Sequence, residues 1–312
     1  MLPLSDADRE PALRALTPIR TPLVRLSGYG WRRLFVKDET RQVSGAFKYR
    51  GNVRRLARLA KGTPLTTAST GNHAAGLAIA AAHLGMPLTV YAPRQTPEAK
   101  LSRILDGGAE LIPVDGDYDD CEKCARKDAA RRDAVFVHSF DDPLVIEGHR
   151  ALFSEAAAQA EPADVAFVPV GGGGLVTAGI HEWGRTSTQI IGVEYETAPA
   201  MKRSLAADRR VILNNAIGMP EGLLVRQVGS HAFAACRRYE LQVETVGEGE
   251  LMTAMRMLWA EAGIRAEGAG AAALAAALAA PRSSAVALCV VSGGNIDDSL
   301  WRRCVGLSSM PR

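Results

Sequence analysis

Short apolar runs recur along this chain, each followed by a longer stretch whose apolar residues return every three or four positions. Glycine, serine, asparagine or proline separates the two. Runs that stay apolar without in–out alternation predict strands buried on both faces, and the longer stretches predict helices. Strands are expected at 33–37, 65–69, 87–92, 109–114, 134–138, 164–170, 189–194 and 285–291. Helices are expected at 48–60, 97–106, 118–130, 146–160, 248–262 and 267–280, with two more ending at 84 and 183. Residues 17–23, stiffened by Pro18 and Pro22, read as extended chain. Residues 201–238 carry no readable period. Strands alternating with helices predict an α/β protein of parallel sheets covered on both faces.

The length of 312 residues exceeds one ordinary core and suggests two lobes. A net charge of +3, with arginines dispersed along helix faces, gives no electrostatic case for nucleic acid or a membrane surface. Residues 1–10 have no apolar signal core, and the alanine-rich run 268–280 is too short to span a bilayer. Of five cysteines, Cys121 and Cys124 form a CxxC, but no second pair or nearby histidine completes a zinc site. Free thiols and a cytoplasmic setting are expected.

The candidate chemistry begins at residues 44–51, Ser-Gly-Ala-Phe-Lys-Tyr-Arg-Gly. Gly45, Ala46 and Phe47 set Lys48 apart from a basic helix face of Arg50, Arg54, Arg55 and Arg58. A lysine held against apolar neighbours loses solvation, and its neutral amine can attack a carbonyl. An ordinary surface lysine fits those eight residues equally well. The loops downstream decide between the two. Residues 69–73, 171–174 and 292–295 each leave a strand, and ligands of open parallel sheets bind at such carboxyl ends. Four consecutive glycines exceed what a turn needs, whereas backbone approach to a phosphate at a helix start uses them all. Neither nucleotide-binding glycine signature is present. A reactive lysine with a phosphate cradle points to pyridoxal 5'-phosphate.

Residues 44–51, the Ser-Thr-Gly-Asn-His of 69–73, Gly171 to Leu175 and the Ser-Gly-Gly-Asn of 292–295 together resemble one family. It is the threonine/serine dehydratase and serine racemase group of the tryptophan synthase β-like (fold type II) pyridoxal-phosphate enzymes. The resemblance implies two open twisted, mostly parallel sheets flanked by helices, with a small lobe at 61–147 inserted in a large lobe of 1–60 and 148–312. It implies a homodimer acting on a small amino acid. Lys48 would carry the cofactor and act as base, with Phe47 beside the ring and Asn72 at the ring hydroxyl. Gly171, Gly172, Gly173, Gly174 and Leu175 would hold the phosphate, and Ser292 would meet the ring nitrogen. Ser69, Thr70, Gly71, Asn72 and His73 would grip the substrate carboxylate. The expected reaction is α,β-elimination from a 3-hydroxy amino acid of threonine or serine type, giving a 2-oxo acid and ammonia. A serine at the ring nitrogen cannot hold a proton there as a carboxylate would, which favours prompt loss of the β-substituent.

Departures from the family pattern qualify that expectation. Glu221, in Pro-Glu-Gly where an Ala-Asp-Gly is usual, would sit near the substrate's β-substituent. The family's cation site would fall near Glu194, yet Ala200 stands where an Asp is usual, and no metal is expected. Thr70 occupies the place of the second catalytic group of racemases, which keeps an amino acid racemase as the alternative. A β-replacement synthase ranks third, because such enzymes lack the Phe-Lys-x-Arg-Gly run. His149 is expected to pack or lie on a helix surface, and Glu267 to start a helix or lie near the cofactor. The chain ends soon after the 292–295 loop, so no regulatory domain of the isoleucine-pathway enzymes is expected.

Overall fold

The computed structural model describes residues 14–307, and the reading of residues 1–10 lies outside them. The described residues divide into two compact units, one of 14–19 and 48–148, the other of 20–47 and 149–307. The chain passes between them at the Ile19–Arg20, Phe47–Lys48 and Gly148–His149 peptides.

The first unit carries a four-stranded, all-parallel sheet. Its strands are β3 (Leu65–Ala68), β4 (Leu88–Pro93), β5 (Glu110–Val114) and β6 (Val135–Phe136), in the order β5-β4-β3-β6. Helices α1 (Lys48–Leu56), α2 (Asn72–His83), α3 (Glu98–Asp106) and α4 (Tyr118–Arg132) belong to it, with the start of α5 (Pro143–Ala157). Every residue of β3 is buried, which is why its run lacks alternation. Asp117 starts α4 with a capping box, accepting from Asp119 N and Asp120 N while Asp120 reaches back. Helix α1 stops four residues before its expected end at 60. There Arg58 N and Leu59 N turn to the carbonyls of Arg55 and Leu56, tightening the last turn. Arg50 does not share the exposed basic face: it is buried and donates Nη2 to Ile19 O at 3.1 Å. Cys121 is buried and Cys124 exposed, and all five cysteines are free.

The second unit carries a six-stranded sheet in the order β1-β2-β10-β7-β8-β9. Here β1 is Leu23–Leu26, β2 Arg33–Asp38, β7 Val165–Pro169, β8 Gln189–Tyr195, β9 Gln242–Val246 and β10 Val286–Val291. All neighbours are parallel except β1, an antiparallel edge on β2. The extended segment becomes a strand only after Pro22, since proline brings no N–H to a ladder. The central strands β7 and β10 are buried throughout, and each fully buried Val contributes roughly 1.5–3 kcal/mol. The unit's helices are α6 (Gly174–Trp183), α7 (Ala200–Ala206), α8 (Ser230–Tyr239), α9 (Glu248–Ala262), α10 (Gly268–Ala279) and α11 (Asp298–Val305). The unreadable stretch thus holds α7, a single 3-10 turn at Glu221–Leu223 and α8, short pieces with too few turns to declare a period. No helix among the described residues is long and apolar enough to cross a membrane.

Candidate active site

In the first unit, Lys48 opens α1 and is half-buried, and its Nζ donates to Ser139 O at 2.7 Å. Burial lowers its pKa from 10.5 to about 8. Ser139 had no motif to mark it; its backbone carbonyl does the work, which side-chain chemistry does not reveal. Its hydroxyl in turn donates to Ala68 O at the end of β3.

Residues 69–73 leave β3 and start α2. Gly71 is the N-cap, without a side-chain cap, and open space surrounds the position a Cβ would take. The first-turn N–H groups therefore face a place where an anion fits. Ser69 Oγ accepts from Gly71 N at 3.3 Å, while Thr70 and Asn72 are half-buried. His73 is buried, with Nε2 3.2 Å from Val137 O. A carbonyl only accepts, so Nε2 carries the proton, and Nδ1 has no hydrogen-bond partner among the described residues. Burial first, and then the Lys48 charge, push the His73 pKa down to about 3. The ring is therefore neutral near pH 7.

In the second unit, residues 171–174 join β7 to α6. A Cβ on Gly171 would lie 2.4 Å from Gly222 O, and one on Gly173, whose φ is +90°, would lie 2.5 Å from Ala232 Cβ. Gly173 is the N-cap of α6 and offers no side chain to its first-turn N–H groups. Side chains are excluded and backbone donors are left over, which suits a phosphate. Gly229 N fixes the loop by donating to Gly172 O at 3.0 Å, and Leu175 is buried behind it. Glu221 is exposed on the 3-10 turn whose Gly222 abuts Gly171, which brings the Pro-Glu-Gly segment to the cradle.

The neighbouring strand β10 delivers Ser292, buried, with Oγ 3.4 Å from Ala269 O. Residues 44–47 run antiparallel to this loop. Phe47 N donates to Ser292 O at 3.0 Å, Gly294 N to Gly45 O at 3.0 Å, and Asn295 Nδ2 to Ser44 O at 2.8 Å. Two motifs far apart in sequence are therefore one structural piece, and the chain leaves it directly into Lys48. Phe47 packs on the buried ring of His149, with centroids 4.7 Å apart. Glu267 caps α10 and donates its N–H to Gly293 O. Glu194 is fully buried and accepts from Met201 N at 2.6 Å and Lys202 N at 2.9 Å.

A phosphate-shaped cradle, together with an amine shifted towards its neutral form, defines a class of enzyme that employs a phosphorylated carbonyl cofactor. Residues 15–293 match the family described as pyridoxal-phosphate dependent enzyme. The L-threonine ammonia-lyase of Thermotoga maritima is 34% identical over 280 residues, covering 87% of this chain and 69% of that protein. The processed form of threonine deaminase isoform 2 from Solanum lycopersicum superposes with a TM-score of 0.87 at 26% identity, covering 99% of this chain and 95% of that one. Maize serine racemase superposes with a TM-score of 0.86 at 27% identity, covering 94% and 95%. The chain belongs to the pyridoxal-phosphate dependent enzyme family, and pyridoxal phosphate is its cofactor.

Proposed function

We propose that this enzyme is an ammonia-lyase that converts a 3-hydroxy amino acid, threonine or serine, into a 2-oxo acid and ammonia. The observation that carries the reading is the half-buried Lys48, bonded to Ser139 O and holding an amine pKa of about 8. The threonine ammonia-lyase of Thermotoga maritima, similar over most of the chain, supports the substrate class. Pyridoxal phosphate, when bound, supplies an electron sink for the pair released when a bond to Cα breaks.

Lys48 is the residue that carries the cofactor and then takes the Cα proton on Nζ. Residues 171–174 with Leu175 hold the phosphate, Phe47 lies against the ring, Asn72 serves the ring hydroxyl and Ser292 the ring nitrogen. The first-turn N–H groups of α2, with Ser69, Thr70, Gly71, Asn72 and His73, orient the substrate carboxylate. Glu221 lies towards the β-substituent. In the net reaction the Cα–H and Cβ–O bonds break, the hydroxyl leaves as water, and water then releases the amino group as ammonia. We place the small lobe at 61–147 and the large one at 1–60 with 148–312; the small lobe falls inside the first compact unit, which also takes in α1. The enzyme works as a cytoplasmic homodimer.

A second reading, amino acid racemisation, is favoured by the half-buried Thr70 at the start of α2 and by the likeness to maize serine racemase. Incubating the holoenzyme with L-threonine, L-serine and other 3-hydroxy amino acids, with detection of 2-oxo acid, ammonia and D-amino acid, tests both. We expect 2-oxo acid and ammonia in equal amounts. D-amino acid formed faster than 2-oxo acid would replace the lyase with the racemase.

A further inference from the structure

Glu194 has no part in the chemistry above, yet it is a carboxylate with no solvent exposure at the end of β8, where such a charge needs strong partners. Its partners are both backbone. Oε1 accepts from Met201 N at 2.6 Å and Oε2 from Lys202 N at 2.9 Å, the second and third residues of the helix after its Pro199 N-cap. Pro199 has no acceptor side chain, so Glu194 does from another element what a capping residue does from within. Burial raises the Glu194 pKa to about 7 while the two backbone bonds pull it back, and in the ionised form such charge-assisted bonds are about twice as strong as neutral ones. The far end of α7 is tied as well: Ser204 Oγ donates to Ala200 O at 2.6 Å and accepts from Val211 N at 3.0 Å.

What α7 holds is Met201. A Cβ on Gly173 would meet Ala232 Cβ at 2.5 Å and Met201 Cε at 3.2 Å, so these two side chains are the walls behind that glycine. The Ala232 wall belongs to α8, which is joined to the cradle by the Gly229–Gly172 backbone bond. Met201 approaches the cradle through its side chain, whose Cε lies 3.2 Å from where a Gly173 Cβ would be, and its position is set by the turn that Glu194 grips.

We infer that Glu194 is a positioning residue for cofactor phosphate binding: its carboxylate fixes the first turn of α7, and Met201 of that turn backs Gly173. The inference rests on the reading that residues 171–174 hold the phosphate.

The test titrates apoenzyme with pyridoxal phosphate and, separately, with pyridoxal, following absorbance and protein fluorescence. In Glu194→Gln the amide keeps one acceptor but turns an NH2 towards an N–H of α7. We expect the Kd for pyridoxal phosphate to rise about tenfold, which is 1.4 kcal/mol, while that for pyridoxal changes less than about twofold. Met201→Leu keeps core volume and removes the methyl that reaches Gly173, so it folds even where Glu194→Gln does not. It should lose pyridoxal phosphate selectively, by about threefold, since less contact is removed. Wild-type affinity for pyridoxal phosphate in both variants, or equal losses for both ligands, would overturn the inference. A wild-type protein that binds pyridoxal as tightly as pyridoxal phosphate would instead overturn the cradle assignment beneath it.

Discussion

Lys48 costs the unliganded protein stability, and the amount follows from its surroundings. Its amine pKa falls from 10.5 to about 8 through burial. Each pKa unit is worth about 1.36 kcal/mol, so the shift corresponds to at most about 3.4 kcal/mol of charge burial. The side chain is half-buried and keeps some water, which reduces that figure to about 2–3 kcal/mol. The sign is that of a depressed lysine. Below pH 8 both folded and unfolded chains carry the proton and the cost is complete. Between pH 8 and 10.5 the folded chain loses the proton first, and the cost fades. Lys48→Met removes the charge but strips Ser139 O of its 2.7 Å partner, a loss of about 1 kcal/mol. The apo variant should therefore be more stable than apo wild type by about 1–2 kcal/mol at pH 7 and less stable above pH 10.5. Urea denaturation of both apoproteins across this range measures it, and the difference between them cancels the titration of other groups. A Lys48→Met protein less stable than wild type at pH 7, or a difference flat with pH, would refute the reasoning.

Two further outcomes are expected. Lys37 is fully buried on β2 with Nζ bonded to Thr21 O, Glu155 Oε2 and Gln159 Oε1, so Lys37→Met should destabilise by about 3–5 kcal/mol, read as a lower urea midpoint at unchanged slope. Thr70→Ala should remove any D-enantiomer formation and spare most ammonia release, as measured by chiral chromatography of a reaction in deuterated water; retained D-product would clear Thr70 of a catalytic part.

The parallel sheets and most of their helices were legible because burial on both faces leaves uninterrupted apolar runs, as in β3, β7 and β10. Strand β9 was not: Gln242, Glu244 and Thr245 break up any apolar run, and only pairing with β8 makes it a strand. The short helix α7 escaped for want of turns, and with it went the connection from Glu194 to Gly173. Glycine-rich loops pointed to the candidate site because their backbone demands are rare, and Lys48 because apolar neighbours set it apart. Ser139 and Gly222 did not, since their parts are played by carbonyls that every residue owns. The tie between 44–47 and 292–295 is likewise main-chain, apart from Asn295, and no side-chain pattern encodes it.

Helix α10 looks like filler: its sequence is Gly-Ala-Gly followed by alanines and two leucines, all buried from Gly268 to Ala277. In the fold it is a gauge. A Cβ on Gly270 would lie 2.2 Å from Gly293 O, and Ala269 O is the neighbour of the Ser292 hydroxyl. The spacing between helix and loop is set by what those residues lack. A mutagenesis library that treats this run as neutral ground would, by adding a single methyl group, push on the residue that directly follows Ser292. The plainest stretch of the sequence is thus among the least free to drift, and its tolerance cannot be judged by how ordinary its residues are.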